Sequence, residues 1–291
     1  IMELTQLRYF QTAAYYQHIS RAAEELNISQ PALSTMISRL EKELGVPLFD
    51  HNGRSIILNQ NGQRFLQRVN HILMEVENSK RELQDIADEG DNSISLAVSS
   101  SQFLQGMHAF MYQHPNYKWN QRVAENKEIA ALLNRGQIDL AVTSPGIYGE
   151  VFESTLLLRD IFKLAVHKDN PLAQRKSVRL EELTDQRFIM LLKGLPFRAQ
   201  TDRIFADLGI TPHYIMECDH LLRRELINAN AGVTIASQSA SFRHLFSENI
   251  RFLDIEDVHH TRDIVMVHRK GRYLNRASRQ FADFLKQKFS P

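Results

Sequence analysis

The chain has 291 residues with 35 Lys and Arg, 34 Asp and Glu and a net charge of +1, so no global basic field predicts a polyanionic partner. The hydrophobic fraction of 43% is ordinary for a globular protein with a buried core. One cysteine, Cys218, excludes an internal disulfide and fits a reducing cytoplasm. Glu3 and Arg8 interrupt the N-terminal residues, and no stretch reaches the ~20 apolar residues of a membrane span. We therefore expect no signal peptide, no membrane partner and a cytoplasmic location.

Residues 3–45 have the 3.6-residue apolar period of amphipathic helices. We predict that Ser20 caps the helix RAAEELN, that Asn27 adopts left-handed geometry in the following turn, and that Ser29 caps the next helix. Pro31 lies in the first turn of that helix, where proline is favoured. The inward stripe of the same helix consists of Leu33, Met36, Ile37, Leu40 and Leu44.

The opposite face of this helix is polar and consists of Gln30, Ser34, Thr35, Ser38 and Arg39. Short polar side chains with one arginine suit a helix that lies in the major groove of DNA and reads base edges. Residues 1–70 hold seven Lys and Arg against six Asp and Glu, so DNA binding has to rest on a few well-placed cations and on helix N-termini. Any two capped amphipathic helices share part of this pattern, and a purely structural helix pair is the alternative.

A short hairpin is predicted directly after these helices. Gly45 ends the second helix, and the segment DHNGRSIIL reads as two strands joined by the Asn52-Gly53 pair, a preferred two-residue turn. Arg54, just beyond this turn, is placed to enter a minor groove or to bind a phosphate. A helix-turn-helix followed at once by such a hairpin predicts a winged helix-turn-helix DNA-binding domain over residues 2–60.

Residues 10–62 resemble the DNA-binding segment of LysR-type transcriptional regulators, a bacterial family. The matching motifs are Ser-Gln-Pro-Ala at 29–32, Leu-Glu-x-Glu-Leu-Gly at 40–45 and Pro-Leu-Phe at 47–49. Thr35 departs from the family's frequent Arg, and residues 59–62 read Asn-Gln-Asn-Gly where Thr-x-x-Gly is usual. The first departure changes which bases or phosphates are touched, and neither threatens the fold. The resemblance implies a homodimer or tetramer on an operator, with RNA polymerase as a further candidate partner.

Residues 61–89 are predicted to form a linker helix. Its apolar positions follow steps of four and three: Phe65, Val69, Ile72, Val76, Leu83 and Ile86, with Ser79 as a polar interruption. This heptad pattern predicts a dimerising seam along a rod of about 40 Å. A long helix packed on its own domain is the alternative, and the narrowness of the seam favours the dimer. Two heads held in this way would read the two half-sites of an inverted repeat in double-stranded DNA.

From Ser93 onward, short apolar β runs alternate with amphipathic helical stretches, which predicts α/β lobes. Residues 90–291 resemble the family's effector domain, which has a two-lobed, periplasmic-binding-protein-like fold. The resemblance implies a first lobe of about 92–163 and 266–291 and a second lobe of about 164–265, with a small-molecule effector between them. The predicted fold class is therefore α/β overall, with an all-α winged head and a long linker helix.

Ligands of α/β lobes bind beyond the carboxyl ends of strands. The strand SISLAVS ends in serines that we predict to open a helix, whose N-terminus attracts anions. The candidate effector residues of the first lobe are Ser99, Ser100, Ser101, Gln102, Lys127, Thr143 and Ser144. In the second lobe, Leu195, Pro196 and Phe197 are expected to supply apolar contacts and Arg198 a cation. The hypothesis is a small organic anion; a neutral sugar or an uncharged aromatic is the alternative, and any single serine can simply cap the helix.

The sequence carries no serine-hydrolase elbow, nucleotide-binding loop or zinc-protease motif, and its 12 histidines are scattered. We therefore expect no enzyme activity, no cofactor and no metal. A solute-binding transport component and a hydrolase or transferase are the competing classes; the DNA-reading head argues against the first and the lack of a motif against the second. Cys218 reads as a buried thiol, with redox sensing as the alternative. The sequence leaves open the operator, the effector's identity, the sign of regulation and the choice between dimer and tetramer.

Overall fold

The computed structural model describes residues 2–52, 55–87, 92–237 and 246–289. The chain divides into two compact units, the first comprising residues 1–91, 134–136 and 271–275 and the second comprising residues 92–133, 137–270 and 276–291. Within the described ranges, no helix is both long and apolar enough to cross a membrane.

The head of the first unit consists of α1 (Leu4–Tyr16), α2 (Ile19–Glu25), α3 (Gln30–Leu44), β1 (Phe49–Asn52) and β2 (Ser55–Leu58). Phe10 is fully buried at its centre, where its ring centroid lies 5.5 Å from that of Phe49 and 5.1 Å from that of Phe65. Ala22 and Ala23 are buried on α2, and side chains this small let the neighbouring helices pack closely. The head therefore has a hydrophobic core of its own.

The start and end of α3 follow the predictions. Asn27 has a φ of 54° in the turn before it, and Ser29 caps it by accepting a hydrogen bond from the amide of Ala32 at 3.4 Å. Gly45 ends the helix in the left-handed region with a φ of 72°. Of the predicted inward stripe, three residues are buried and two half-buried: Leu33, Ile37 and Leu40, then Met36 and Leu44.

The prediction that Ser20 caps α2 is wrong. The helix begins at Ile19, two residues earlier than predicted, and His18 provides the cap, because its ring accepts a hydrogen bond from the amide of Arg21 at 3.5 Å. A histidine ring can fill the role of the short oxygen side chains that usually cap helices. Ser20 therefore lies inside the helix, where its hydroxyl is available to other partners.

The wing is an antiparallel pair of β1 and β2 in which Asn52 lies opposite Ser55. Asn52 is therefore a strand residue, which corrects the prediction that it lies in the turn; Gly53, its predicted turn partner, lies outside the described residues. Arg54, which the sequence predicts to bind DNA, lies outside the described residues.

The first half of α4 (Gln60–Ile86) packs on the head. Val69 is fully buried in the head core, and Phe65 packs against the same core. This packing corrects the assignment of Val69 to a dimer seam, because the head of the same chain covers its side chain completely. Phe65 is only half-buried against the head, so its place in a seam stays a prediction. The sequence alternative of a helix packed on its own domain therefore holds for this half.

The second half of α4 binds residues 271–275. The buried Asn78 donates from Nδ2 to the carbonyl of Gly271 at 2.6 Å and accepts from the amide of Tyr273 at 2.8 Å. The Tyr273 hydroxyl in turn donates to Asp85 at 3.0 Å. The predicted seam residues that stay exposed here are Ile72, Leu83 and Ile86, at 40%, 67% and 75% relative exposure, with Val76 half-buried.

The second unit is an α/β structure with helices connecting short strands. Its elements are β3 (Ser93–Val98), α5 (His108–Gln113), β4 (Lys118–Val123), α6 (Asn126–Asn134), β5 (Leu140–Thr143), β6 (Phe152–His167), β7 (Ser177–Val178), β8 (Phe188–Leu191), α7 (Pro196–Asp207), β9 (Tyr214–Cys218), α8 (His220–Asn228), β10 (Thr234–Ser237), β11 (Ile250–Ile255), β12 (Thr261–Arg269) and α9 (Arg276–Phe289).

Strand β6 links the two lobes of this unit. Its first part pairs antiparallel with β12, which also pairs with β5, and β5, β3 and β4 follow as parallel neighbours. Its last part pairs antiparallel with β10 and β11, and β8 pairs with β9 in a separate parallel sheet. The sequence-based boundary places residues 261–265 in the second lobe. Because β12 pairs with first-lobe strands from Thr261 onward, these residues belong to the first lobe instead.

Each lobe is held by its own apolar core. The first lobe buries Ile129 and Leu133 of α6 against Val265 of β12. The second lobe buries Phe188 of β8 against Phe205 of α7, with ring centroids 5.4 Å apart. Separate cores leave the polar strand ends of the two lobes free to line the cleft between them.

Candidate functional site

The outward face of α3 carries the residues that the sequence predicts to contact DNA. Gln30, Thr35, Ser38 and Arg39 are exposed, and Ser34 is half-buried. Ser20 of α2 donates from Oγ to Gln30 Oε1 at 3.1 Å, which orients the Gln30 amide at the start of α3. This face is narrow, polar and free of bulky groups near the helix start, as entry into a major groove requires.

The start of α3 is also suited to a phosphate. Ser29 and Pro31 are exposed, and the first amides of a helix have no partners within the helix. One of these amides, that of Ala32, is capped by Ser29. Pro31 has no N–H and the amide of Leu33 donates to the carbonyl of Ser29, so the amide of Gln30 and the positive end of the helix dipole are what favour an anionic oxygen such as that of a DNA backbone.

In the second unit, two adjoining cavities of about 200 Å³ and about 130 Å³ lie in the cleft between the lobes. They share five lining residues: Ser101, Gln102, Phe197, His220 and Arg262. Because they share these walls, the two cavities form one cleft, large enough for a small metabolite.

The serine run after β3 lines the smaller cavity, but not as the start of a long helix. Ser100 caps a four-residue 3-10 turn by accepting from the amide of Gln102 at 3.4 Å, and α5 begins only at His108. The prediction of a helix N-terminus with a full dipole is therefore wrong. Ser99 is buried and its Oγ accepts from the amide of Ser144 at 3.0 Å, so it joins the ends of β3 and β5.

Five other predicted effector residues divide into those that line the cleft and those that do not. Leu195 and Pro196 line the smaller cavity beside Phe197, and Ser144 lines it from the first lobe. Thr143 is fully buried and lines neither cavity.

Neither of the predicted cations lies on the cleft wall. Lys127 is exposed on α6 and lines neither cavity. Arg198 is buried and pairs with Asp202 at 2.6 Å and with Glu217 at 2.7 Å, while it donates to the carbonyl of Leu191 at 2.5 Å. Its charge is thus neutralised within the second lobe, and the assignment of Arg198 as the cation that closes the site is wrong.

Three other arginines line the cleft, two of them buried and the third, Arg224, half-exposed. Arg262 of β12 and Arg223 of α8 are both buried, with their guanidinium carbons 4.8 Å and 5.5 Å from the centroid of the Phe197 ring. Arg262 lies 3.4 Å from a carboxylate oxygen of Asp160, which also accepts a hydrogen bond from Ser237. Arg223 instead donates to the carbonyl of Ile235 at 3.3 Å.

Burial lowers the pKa of Arg223 and of Arg262 to about 10, in the second case against the opposing effect of Asp160. Both guanidiniums stay charged at neutral pH. Among the described residues, two buried cations against one buried carboxylate leave an excess positive charge beside the cavity, and this excess favours an anion.

His220, the first residue of α8, lines both cavities. Burial, followed by Arg223 and Arg262, lowers its pKa to about 4, although Asp219 raises it. The ring is therefore uncharged at neutral pH. Its Nδ1 is buried and has no hydrogen-bond partner among the described residues.

Sequence reasoning missed Arg223, Arg262, His220 and Ser237. Arg262 stands in a strand and Arg223 on a helix face, where arginine normally reads as a solvent-exposed residue. One signal was present: His220 and Arg223 are three residues apart directly after the strand HYIMEC, so they share one helix face at a strand end.

Comparison with known proteins agrees with this organisation. Residues 4–63 match the family model of the bacterial regulatory helix-turn-helix protein, lysR family, and residues 88–290 match that of the LysR substrate binding domain. The chain belongs to the LysR family of bacterial transcriptional regulators. It is a DNA-binding transcriptional regulator with a substrate-binding domain, and its relatives are regulators rather than enzymes.

Curated relatives cover almost the whole chain. An uncharacterized HTH-type transcriptional regulator, YybE of Bacillus subtilis, is 31% identical over 99% of this chain and 100% of its own length. The transcriptional dual regulator GltC of the same organism is 29% identical over 99% of this chain and 98% of its own length. A hydrogen peroxide-inducible genes activator of Dickeya chrysanthemi is 26% identical over 98% and 95%.

Solved structures share the fold. Full-length OxyR from Pseudomonas aeruginosa has a TM-score of 0.62 at 20% identity and covers 99% of this chain and 95% of its own. Full-length CbnR in complex with its target DNA has a TM-score of 0.56 at 21% identity, and the match covers 99% of this chain and 100% of the CbnR chain. At these identities the likeness establishes the fold alone.

Proposed function

We propose that this regulator reads a specific operator through α3 and is controlled by a small organic anion bound in the cleft of its second unit. The observation that supports the ligand is the position of two buried arginines in the cleft. The guanidinium groups of Arg223 and Arg262 lie around the ring of Phe197. A buried cation is costly unless an opposite charge meets it, so an anionic ligand stabilises the occupied cleft.

On DNA, the exposed face of α3 supports base readout. Gln30 can form the bidentate pair with adenine that glutamine prefers, and Arg39 lies within reach of a guanine or a phosphate further along the helix. The amide of Gln30 at the start of α3 would bind a backbone phosphate. Arg54 of the wing stays a sequence-based proposal for a further cation.

The proposed assembly is a homodimer, or a tetramer built from two of them, on an inverted repeat. The exposed apolar residues Ile72, Leu83 and Ile86 of α4 support it, because a partner helix would remove them from water. RNA polymerase is proposed as a partner at the promoter. The protein is placed in the cytoplasm because that is where bacterial DNA lies.

In the cleft, the anion's charged group would bind at Arg223, with a hydrogen bond from Gln102. Phe103, Leu195 and Pro196 line the smaller cavity and would contact an apolar portion of the ligand. The effector proposed is therefore a small anion with a compact organic part. A neutral sugar would leave the excess positive charge of the cleft unpaired.

The DNA proposal is tested by the affinity of the full chain for the promoter DNA beside its own gene, against a scrambled duplex. Gln30→Ala should lower specific affinity by about 5- to 150-fold, the range of roughly 1–3 kcal/mol for one base contact. Gln63→Ala, on an exposed position of α4, makes the same truncation outside α3 and should change nothing. The proposal would be contradicted if Gln30→Ala bound the promoter duplex as tightly as the wild type does, or if the wild type did not distinguish the promoter duplex from the scrambled one.

A further inference from the structure

His220 stands where its charge state decides what the cleft can bind. It lines both cavities and lies one helical turn from Arg223 on α8. Its Nδ1 is buried without a hydrogen-bond partner among the described residues. A buried ring nitrogen that meets no protein group is poised to meet a ligand.

Among the described residues, the charged groups around this ring come from three elements that face the cleft. They are Asp219, Arg223 and Arg224 from α8 and the residue before it, Arg262 from β12, and Asp160 from β6. Asp219 is exposed and already accepts the amides of Leu221 and Leu222, and Arg224 is half-exposed, so solvent screens both. The buried groups are two guanidiniums and one carboxylate.

These charges oppose protonation of the ring. A cationic His220 would be the third buried positive charge against Asp160 alone. Burial is the largest cause of the lowered pKa of His220, about 4, and the charges of Arg223 and Arg262 come next. An anion at Arg223 and Arg262 offsets these two charges and places a negative charge beside the ring, which stabilises the imidazolium despite its burial.

We propose that His220 is a specificity-determining residue of the cleft: it takes a proton from solvent when a small doubly charged anion binds, and its ring N–H then donates to that anion. This inference rests on the proposed anion-binding function of the cleft. A singly charged anion is matched by the one excess positive charge of the buried groups and needs no proton. The effector class selected is therefore a small dianion.

Two probes of fixed charge and similar size separate these cases: sulfate, doubly charged, and methanesulfonate, singly charged. Binding of each to the full chain is measured by calorimetry between pH 7.5 and pH 5.5. If the bound ring returns to an ordinary histidine pKa near 6.5, sulfate affinity should rise about tenfold over this range. Methanesulfonate affinity should change less than about threefold. Calorimetry in two buffers of different ionisation enthalpy should show uptake of close to one proton with sulfate at pH 5.5.

Three variants locate the effect. His220→Gln keeps a polar group of similar size and should remove the pH dependence of sulfate binding. His260→Gln, whose ring pairs with Asp207 outside the cleft at 3.1 Å, should keep it. Arg223→Gln should weaken both anions at least tenfold, which assigns their binding to this cleft.

Sulfate binding without pH dependence, or with a dependence that survives in His220→Gln, would overturn the inference and leave the anion site in place. If neither anion binds in the wild type, both the inference and the anion site fail. The proton-uptake measurement needs no variant, so it decides the matter even if His220→Gln does not fold.

Discussion

At the scale of single residues, the charge of the cleft is set by side chains whose burial shifts their pKa values. Arg223 keeps its charge at neutral pH although burial lowers its pKa to about 10. His220 loses its charge because burial and the two arginines lower its pKa to about 4. The two side chains thus divide the roles of fixed cation and proton-sensitive group.

The stability of the protein in acid should report His220 directly. Its folded pKa, about 4, lies below the unfolded value near 6.5, so the unfolded chain binds more protons between these values. Stability is therefore lost as the pH falls from about 6.5 toward 4. His220→Gln should recover on the order of 2 kcal/mol of this loss at pH 5 relative to pH 7.5. Denaturant unfolding at both pH values measures it; an equal acid loss in both proteins would contradict the assignment.

The reactivity of the Cys218 thiol gives a second prediction at the residue scale. The thiol is buried beside the carbonyl of Met190, and desolvation raises its pKa despite the opposing charge of Arg223. Since the thiolate is the reactive form, we expect Cys218 in the folded chain to react with a thiol reagent at least tenfold more slowly than in the denatured chain. Equal rates would revive the redox-sensor alternative.

Sequence reasoning located the cleft at the residue scale only in part. It placed Ser100, Ser101 and Phe197 on the wall because strand ends in α/β lobes converge. It chose Arg198 as the cation, because a charged residue at a helix start reads as available. One carboxylate that neutralises Arg198, that of Asp202, lies four residues further along α7 and is visible as a local pattern, whereas Glu217 comes from β9, a pairing that no local pattern in the sequence contains.

At the scale of elements, α4 joins two kinds of packing in one helix. Its first half lies on the head through Val69, whereas Ile72, Leu83 and Ile86 are exposed further along. Apolar residues spaced alternately by four and three positions occur both in coiled coils and in helices that pack on their own domain. The heptad pattern therefore predicted the helix but not the surface that covers its apolar side. Only the tertiary structure separates the covered half from the exposed half.

Replacing Leu83 with Lys should disrupt the proposed dimer, because it puts a charge into the remaining seam. Light scattering should show a smaller species, and affinity for a full inverted repeat should fall far more than affinity for one half-site. Gln84→Lys adds the same charge at the neighbouring exposed position and should leave both unchanged. An unaltered oligomer in Leu83→Lys would mean that the chains associate elsewhere.

The α3 helix offers a matching test on DNA. Arg39 is exposed on its outer face, so Arg39→Ala should weaken binding to operator and scrambled DNA alike if its partner is a phosphate. The slope of log affinity against log salt should then fall by about one unit. A loss confined to the operator would instead assign Arg39 to a base.

At the scale of the whole molecule, the family's two functions are carried by separate compact units, one holding the head and α4 and the other holding the cleft. The order of domains and the α/β class were predictable from helical and strand periodicities and from the LysR motifs. The antiparallel β12 between β5 and β6 was not, because strands alternating with helices predict parallel neighbours. That strand is also the one that brings Arg262 to the cleft.

The central claim is that an anion in the cleft alters operator binding, and the coupling between the two is its most direct test. Operator affinity and footprint are measured for the full chain with and without the metabolite anion that stabilises it most in a thermal-shift panel. The account predicts a change of at least fivefold in affinity, or an altered footprint, in the wild type. Arg223→Gln should bind the operator with the wild-type's anion-free affinity and show no response. A response that persists in Arg223→Gln, or a best ligand without negative charge, would contradict the account.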